Sequence, residues 1–432
     1  MGSFASLFFS QLSIFLNSVG IVWGAIWWAV LPVVASIIFW EFWMLYINLK
    51  WLKSIKWKIL EIKIPKNVLK TPKAMEQVFA AAHAIHLTHT FLEKYWKGMK
   101  DYFMSFEIVG RAGESHFYLR LPSQYQNLME SAVYAQYPEA EIVEAENYVA
   151  QMPKIIPNND IDLYGGEWIL AAPNCYPIRT YPLFEEAVEE QRIDTTALII
   201  EAMSKLKGNE QIWIQFVIRP VGIEWKKEGE EVINKLLGIE TEKKKGWLAD
   251  FQGLGFTLRE LFLAPFMHPS QEVKKREEKA ANLKLLLANP STKDMVDGIR
   301  GKISKTSFET TVRFICIDRR ETFKKDNVSA VVGFLKQFGT QTLNAFKPDK
   351  KTWPGTITKG LFKNRRITWR KRMIYERYCD MMFTHSKKQS ILNVEELATV
   401  YHFPIAAVGT TELEKIPSRK GGPPASLPMI EE

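Results

Sequence analysis

The stretch that decides the fold is YFMSFEIVGRAGESHFYLRL (Tyr102–Leu121), in which two alternating apolar runs flank a short glycine-containing segment. Apolar residues recur at every second position of each run, which is the pattern of a β-strand with one face in a core. Gly110–Gly113 (GRAG) has the small, flexible residues that a tight hairpin requires. The stretch therefore predicts two antiparallel strands, Tyr102–Val109 and Ser115–Leu121.

Patterns on both sides of this hairpin complete a β-α-β-β-α-β unit. Upstream, WKILEIKI (Trp57–Ile64) alternates as a strand, and Pro72–Ile85 has the apolar spacing of a helix that begins at proline. Downstream, Tyr125–Ala132 predicts an amphipathic helix and Ala140–Ala145 a closing strand. This order is that of a ferredoxin-like unit.

The same order returns in the second half of the chain. Its predicted elements are strands at Ile161–Tyr164 with Trp168–Ala171, Gln211–Arg219, Ser307–Ile317 and Thr342–Phe346, and helices at Thr195–Leu206 and Asn327–Phe338. We therefore predict an α+β protein with two tandem ferredoxin-like units, each with one helix-covered sheet face and one face free for partners.

A long insertion, residues 220–305, separates the two central strands of the second unit. It contains a predicted helix at Lys226–Leu237, an apolar stretch at 246–269 and a charged helix at Glu272–Leu287. The apolar stretch is either a satellite core or a contact with a membrane surface or another subunit.

The chain's 432 residues leave room for several segments. The predicted boundaries are a membrane anchor at 1–50, a first ferredoxin-like domain at 51–150, a second at 151–347, a basic segment at 348–390, and a docking segment with a Pro/Gly tail at 391–432.

The N-terminus has the composition of a membrane anchor. Residues 1–40 contain no charged side chain, and Val22–Tyr46 exceeds the roughly 20 residues that a membrane-spanning helix needs. Lysines follow this run and none precedes it, so the positive-inside rule predicts a single-pass protein of the inner (cytoplasmic) membrane with its C-terminal bulk in the cytoplasm. Phe4–Leu16 is either an interfacial helix or the first arm of a hairpin that turns at Asn17–Gly20. The predicted interface residues are Trp27, Trp28, Trp40, Trp43, Lys50 and Lys53.

Positive charge is concentrated near the C-terminus. Residues 347–390 contain thirteen Lys/Arg and three Asp/Glu, an excess of ten that accounts for the net charge of +9 of the whole chain. Aromatic residues are interleaved with this charge, which favours stacking on bases while arginines hold phosphates. Anionic lipid headgroups or an acidic protein partner fit the same charge. The candidate binding residues are Arg365, Arg366, Trp369, Arg370, Lys371, Arg372 and Tyr375.

The sequence contains no recognisable catalytic motif. It has no phosphate-binding loop, no HExxH, no GxSxG and no paired CxxC, and its three cysteines are far apart. His83, His86 and His89 are spaced three residues apart, but on a helix of about 100° per residue the three cannot converge on one metal. We therefore expect neither enzymatic activity, nor a cofactor, nor a metal site.

Several stretches together resemble a known module. They are LEIKIPKNVLKTPKAMEQVFAAAH (60–83), SFEIVGRAGESHFYLRLP (105–122), AVYAQYPEAEI (132–142), KISKTSFETTVRFICI (302–317) and ILNVEELATVYHFP (391–404). They are similar to the uncharacterised non-ATPase module of type IV secretion and conjugation-type proteins of uncultured bacteria. That module precedes, or is encoded beside, a HerA/TraG-like P-loop translocase.

The resemblance implies a membrane-anchored scaffold for a separate P-loop ATPase. Because a stretch similar to EELATVYHFP leads into the ATPase of fused relatives, it also implies a motor-docking site at Glu395, Glu396, Leu397, Tyr401, His402, Phe403 and Pro404. This chain stops at Glu432, where those relatives continue, so the ATPase is expected in trans. DNA and a second copy of the chain are further candidate partners. The alternative is a membrane-tethered RNA- or ligand-binding protein that uses the free faces of its sheets.

Overall fold

The computed structural model describes seven parts of the chain. They are residues 2–65, 70–184, 194–238, 290–357, 359–360, 362–383 and 389–404, and within the first helix the side chains of residues 24, 27, 28 and 31–54. The chain forms two compact units, Met1–Lys56 with Leu87–Lys100, and Trp57–His86 with Asp101–Glu432.

The described residues form the following elements. The helices are α1 (Gly2–Ser54), α2 (Pro72–Ala82), α3 (Phe91–Tyr95), α4 (Gln126–Gln136), α5 (Ala197–Ser204), α6 (Lys226–Leu236), α7 (Pro290–Ser304), α8 (Asp326–Lys336), α9 (Lys363–Cys379) and α10 (Val394–Val400). The strands are β1 (Trp57–Lys63), β2 (Met104–Arg111), β3 (Glu114–Pro122), β4 (Glu141–Glu144), β5 (Ile161–Leu170), β6 (Gln211–Pro220), β7 (Ser307–Arg319), β8 (Phe346–Pro348) and β9 (Ser390–Asn393).

The N-terminal unit is built on α1. This helix runs without interruption through Asn17–Gly20, so the hairpin alternative is wrong: the backbone there continues its helical hydrogen bonding instead of turning. Leu31–Ser54 is long and apolar enough to span a membrane, the one such helix in the described part of the chain. Of the predicted interface residues, Trp43 is half-buried and the others are exposed.

The second unit contains one antiparallel sheet. Its strand order is β4-β1-β3-β2-β6-β7-β5-β8, with β9 added against the start of β7. Each half of the sheet therefore has the same internal order, and the two halves meet where β2 pairs with β6 from Met104↔Ile218 to Arg111↔Gln211. Two separate sheets would leave both strands as apolar edges, and this pairing removes them.

The Tyr102–Leu121 prediction is confirmed. Arg111 and Glu114 face each other across the hairpin, and Ala112 and Gly113 between them have φ of 50° and 86°. Two successive positive φ angles are typical of a type I′ turn, whose twist matches that of the flanking strands.

One face of the sheet carries the main hydrophobic core. Helices α2, α4, α5, α8 and α10 cover it, and Phe79 of α2 packs on Phe106 of β2 with ring centroids 4.8 Å apart. The predicted helices of both halves are present here, with ends that differ by at most four residues.

The expectation of a free sheet face is wrong. Helix α9 and the segment 148–156 cover the second face, where Trp213, Ile315 and Ile317 form a second core with Ile374 and Tyr378. The central strands are consequently buried on both sides. The ligand-binding alternative loses the open face on which it depended.

Part of the predicted insertion is described. Its first helix is present as α6, and α7 returns the chain to β7. The apolar stretch at 246–269, the charged helix at Glu272–Leu287 and the Pro/Gly tail lie outside the described residues.

Candidate nucleic-acid interface

The candidate site lies on α9, whose position is set by its buried face. Ile374 and Tyr378 point into the second core, and Tyr378 packs on Trp213 with centroids 5.4 Å apart. The hydroxyl of Tyr375 donates a hydrogen bond to the carbonyl of Pro153 at 2.9 Å. These contacts fix the rotation of the helix about its axis, and with it the set of side chains that faces outward.

A buried polar row receives the C-terminal end of α9. Glu107, Gln215, Arg313 and Glu167 are successive partners across β2, β6, β7 and β5, and all four are fully buried. Gln215 bonds Glu107 at 2.8 Å, and Arg313 bonds Glu167 at 3.1 Å. A charge that is removed from water in this way must be paired. Arg313 and Glu167 pair within the row, and Glu107 has Arg120 at 3.5 Å.

The row holds the helix through carbonyl groups. Arg313 donates to the carbonyls of Arg377 and Met382, and Gln215 donates to that of Tyr378 at 3.2 Å. Arg120 donates to the carbonyl of Cys379 at 3.2 Å. Cationic donors at a helix C-terminus bond its last carbonyls and oppose its negative dipole end.

The ionisation of the two buried arginines follows from their neighbours. Burial is the largest influence on Arg120 and lowers its pKa, but the carboxylate of Glu107, 3.5 Å away, together with Tyr148, Tyr378 and Cys379 outweighs it, and the net shift is upward. For Arg313, burial is the larger influence and its pKa is lowered despite Glu167. A guanidinium group is not deprotonated in proteins, so both side chains pair as cations.

The opposite face of α9 is exposed and carries arginines and aromatic rings together. Arg365, Arg366, Trp369 and Arg372 are exposed, with Trp369 at 63%, and their spacing of three and four residues places them along one side of the helix. Phe362, 70% exposed, lies one turn earlier, and the guanidinium of Arg365 lies 5.9 Å from its ring centre. We call these five residues the α9 face.

Three of the seven predicted binding residues have structural roles instead. Arg370 donates to the carbonyl of Trp353 at 2.7 Å and to the hydroxyl of Thr356 at 2.6 Å. Lys371 forms an ion pair with Asp162 at 2.7 Å. Tyr375 is buried and cannot stack on a base, so the set reduces to the four predicted residues of the α9 face.

Phe362 was missed by the sequence analysis. The signal was present, because Phe362, Arg365, Arg366 and Trp369 are spaced as i, i+3, i+4 and i+7 once a helix is assumed. No acidic side chain among the described residues lies within ion-pair distance of Arg365, Arg366 or Arg372. These three guanidinium groups are therefore available to an anionic ligand.

The predicted motor-docking residues lie mostly inside the protein. Glu396, Leu397, Tyr401, His402, Phe403 and Pro404 are buried, and Glu395 is half-buried in an ion pair with Lys305. Leu397 belongs to the main core, and His402 lies 3.0 Å from Asp194. A partner could reach these side chains only through other residues, so their prediction as a contact surface conflicts with their burial.

Glu396 has a clear structural function. It forms a capping box with Asn393 at the start of α10, and one of its oxygens lies 3.0 Å from the ammonium of Lys302. Burial is the largest influence on both groups: it lowers the pKa of Lys302 and raises that of Glu396. The sequence signal was the N-x-x-E spacing before an apolar run.

The histidine group does not form a ligand cluster in the described structure. His83 lies 3.3 Å from the carbonyl of Val221, and its pKa is lowered mainly by burial. His86 lies 3.6 Å from Asp101. Within the described residues no three His, Cys, Asp or Glu side chains are placed to share a metal ion.

A cleft of about 550 Å³ lies at the ends of β5, β6 and β7. Asp160, Asp318 and Glu321 line it together with Arg319. Three carboxylates against one arginine make the cleft unsuited to a polyanion. Asp318 also accepts a hydrogen bond from the hydroxyl of Thr322 at 2.8 Å. The α9 face therefore remains the stronger site.

Comparison with known families gives one match. A family model described as "Domain of unknown function (DUF8128)" matches residues 49–415, which include all nine described strands and α9 but little of α1. No curated protein matches the chain.

Proposed function

Since the chain belongs to the DUF8128 family, a family of unknown function, we propose from its own geometry that it is a membrane-anchored, non-catalytic binding protein whose α9 face holds single-stranded nucleic acid. The observation that carries the proposal is the exposure of Arg365, Arg366 and Arg372 around Trp369 on one side of a firmly docked helix. Arginine pairs with phosphate, and an exposed indole stacks on a base of any sequence.

The order of charge and aromatic side chains favours a nucleic acid over a lipid surface. An interfacial amphipathic helix separates an apolar stripe from a basic stripe. On the α9 face, arginines lie one turn before and one turn after Trp369, so aromatic and cationic groups share the same stripe. A strand of alternating bases and phosphates matches this order.

The rigidity of α9 also supports binding. Its inner face is held by the second core and its C-terminal carbonyls by Arg313 and Gln215. The helix is therefore ordered before a ligand arrives, and little entropy is lost on binding.

The wider setting is a proposal based on the sequence resemblance. We take the chain as a subunit of a type IV secretion- or conjugation-like DNA-translocation apparatus that works with a separate P-loop ATPase. The shared strand order of the two halves supports treating each as a ferredoxin-like unit, with β2 and β6 joined. The lysines that follow the apolar run Val22–Tyr46 support placing both halves in the cytoplasm.

The experiment measures binding of fluorescent oligothymidine to the full chain in neutral-lipid nanodiscs, by anisotropy over a range of salt concentrations. Single-strand phosphate contacts contribute about 0.7 each to the slope of log K against log salt, so Arg365→Ala/Arg366→Ala/Arg372→Ala should reduce the slope by about 2. Trp369→Ala should cost about 1–3 kcal/mol and leave the slope unchanged.

A matched control removes the same charge elsewhere. Arg300, Arg320 and Lys324 are exposed and lie outside α9, so their triple alanine variant should bind as the wild type does. Equal losses in both triple variants would show only non-specific charge attraction. Absence of binding at low salt would reject nucleic acid, and the α9 face would then be tested against anionic nanodiscs and the copurifying ATPase.

A further inference from the structure

The segment Leu87–Lys100, which contains α3, belongs to the same compact unit as α1. The indole of Trp43 donates to the carbonyl of Tyr95 at 3.3 Å, and its ring lies 5.8 Å from that of Trp96. The ring of Trp40 lies 5.9 Å from that of Tyr95. The segment is therefore seated on the C-terminal part of the apolar helix.

A glycine permits this close approach. Gly98 has φ of +68°, and a Cβ atom at this position would lie 2.5 Å from the backbone carbon of Ile47. Only a residue without a side chain fits both the backbone angle and the contact. The contact of Leu87–Lys100 with α1 therefore includes a close backbone approach at Gly98 and does not depend on flexible side chains alone.

The outer side of the segment is unusually apolar for a surface exposed to water. Phe91, Leu92 and Trp96 are exposed at 71%, 68% and 71%. Neighbouring large apolar side chains at such exposure indicate a contact surface. A capping box at Thr90 and Glu93 fixes the first turn of α3 and so the directions of these side chains.

Lysines border this apolar group. Lys94 and Lys97 are exposed on the segment, and Lys50 and Lys53 are exposed on α1 just beyond Trp43. Aromatic rings with adjacent lysines are the composition of the layer between acyl chains and lipid headgroups. The group also continues the apolar surface of α1 within one unit.

We propose that Leu87–Lys100 is a second membrane-binding element, which lies in the interfacial layer of the bilayer beside the end of α1. Phe91, Leu92 and Trp96 enter the boundary between headgroups and acyl chains, and the lysines meet anionic headgroups. The inference rests on the proposed membrane anchoring by α1. An interfacial position of Leu87–Lys100 also fixes how deeply α1 is inserted in the bilayer. The part of α1 from Trp40 to Ile47, which this segment contacts, then lies in the same interfacial layer.

The experiment is a depth measurement on the full chain in vesicles of phosphatidylcholine and phosphatidylglycerol. A nitroxide is attached at Leu92→Cys, with Phe91→Cys as an independent second position. Ile37→Cys on α1 serves as the membrane reference, and Ile223→Cys, which is exposed in the other unit, as the aqueous reference. Cys175 and Cys316 are buried and Cys379 is half-buried, so the unmodified chain measures background labelling.

The result expected is a label at position 92 about 5–10 Å inside the headgroup boundary, the depth of an interfacial helix. Its collisions with oxygen should exceed those at position 223, and its collisions with an aqueous nickel complex should be fewer. If the labels at 91 and 92 behave like the one at 223 while the label at 37 is in the acyl region, the interfacial role of Leu87–Lys100 is refuted and the membrane anchor is not. An aqueous label at position 37 would overturn the membrane anchor on which it rests.

Discussion

Arg313→Met tests whether the buried polar row holds α9 in place. In the native protein this fully buried guanidinium bonds Glu167 and Gln215, each at 3.1 Å, and the carbonyls of Arg377 and Met382. Methionine fills a similar volume but supplies no donor. The substitution therefore leaves buried acceptors without partners and removes one cation from beside a buried carboxylate.

The expected cost follows from this geometry. Removal of one partner from a buried ion pair costs about 3–5 kcal/mol, because the other charge stays buried. Glu167 keeps a second cation, Arg377, at 3.0 Å. The cost of leaving this carboxylate without Arg313 should therefore be near the lower end of that range. The side-chain oxygen of Gln215 adds to it, because it loses its donor and a buried unpaired acceptor costs about 1–3 kcal/mol. The carbonyl of Arg377 keeps the backbone amide of Met382 as its donor. We expect a loss of about 4 kcal/mol in the free energy of unfolding.

The assay is urea unfolding of the full chain in mild detergent, followed by tryptophan fluorescence. Arg372→Met, an exposed change on the same helix, is the control and should stay within about 0.5 kcal/mol of the wild type. Adding Glu167→Leu to Arg313→Met should cost less than the sum of the single changes, because the stranded charge is gone. Equal stabilities for Arg313→Met and Arg372→Met, or strictly additive costs, would refute the role of the row.

Three further outcomes are expected. Lys302→Met should destabilise the chain by about 3–5 kcal/mol, because it strands the buried carboxylate of Glu396; Lys302→Met/Glu396→Leu should recover much of that loss in the same urea assay. For Glu61, burial is the largest influence and raises the pKa, but the hydrogen bond and charge of His116, at 2.7 Å, together with the charges of Lys63 and Arg111 outweigh it, and the net shift is downward from 4.5. A carboxyl with a depressed pKa stabilises the fold above its unfolded value and loses that contribution as pH falls through the folded value. The stability difference between wild type and Glu61→Gln should therefore be largest above pH 4.5 and shrink as the pH falls below 4.5 through the lower folded-state value; a difference independent of pH would contradict this. A reporter fused after Glu432 should be active in the cytoplasm, because the positive charge lies C-terminal to the apolar run, and periplasmic activity would reverse the orientation.

Local patterns were sufficient for several features. The alternation of apolar residues in Tyr102–Leu121 and the flexible residues of its turn predicted the hairpin. A hairpin with a two-residue turn pairs residues that are close in sequence, so a local pattern is enough to predict it. The unbroken apolar run predicted the N-terminal helix, because the length and the mean hydropathy of a segment are read directly from its consecutive residues. The composition of residues 347–390 located the charge of the candidate site to within one segment.

Only the tertiary structure decided which of those charges are available. Arg370 and Lys371 lie in the same basic stretch as Arg366 and Arg372, yet they bond to Trp353 and Asp162, which are 17 and 209 positions away. Such partners are determined by strand register and helix docking, which a local repeat in the sequence does not predict.

The same reason explains the covered sheet face and the buried EELATVYHFP stretch. Pairing of β2 with β6 merges two halves into one sheet, and α9 then covers apolar positions that each half alone would expose. Leu397 and Tyr401 enter a core that is assembled from residues more than 300 positions earlier, such as Phe79. Periodicity determines which elements form, because it depends on contacts within a few residues. Burial of one element by another depends on long-range pairing, and only the folded chain settles it.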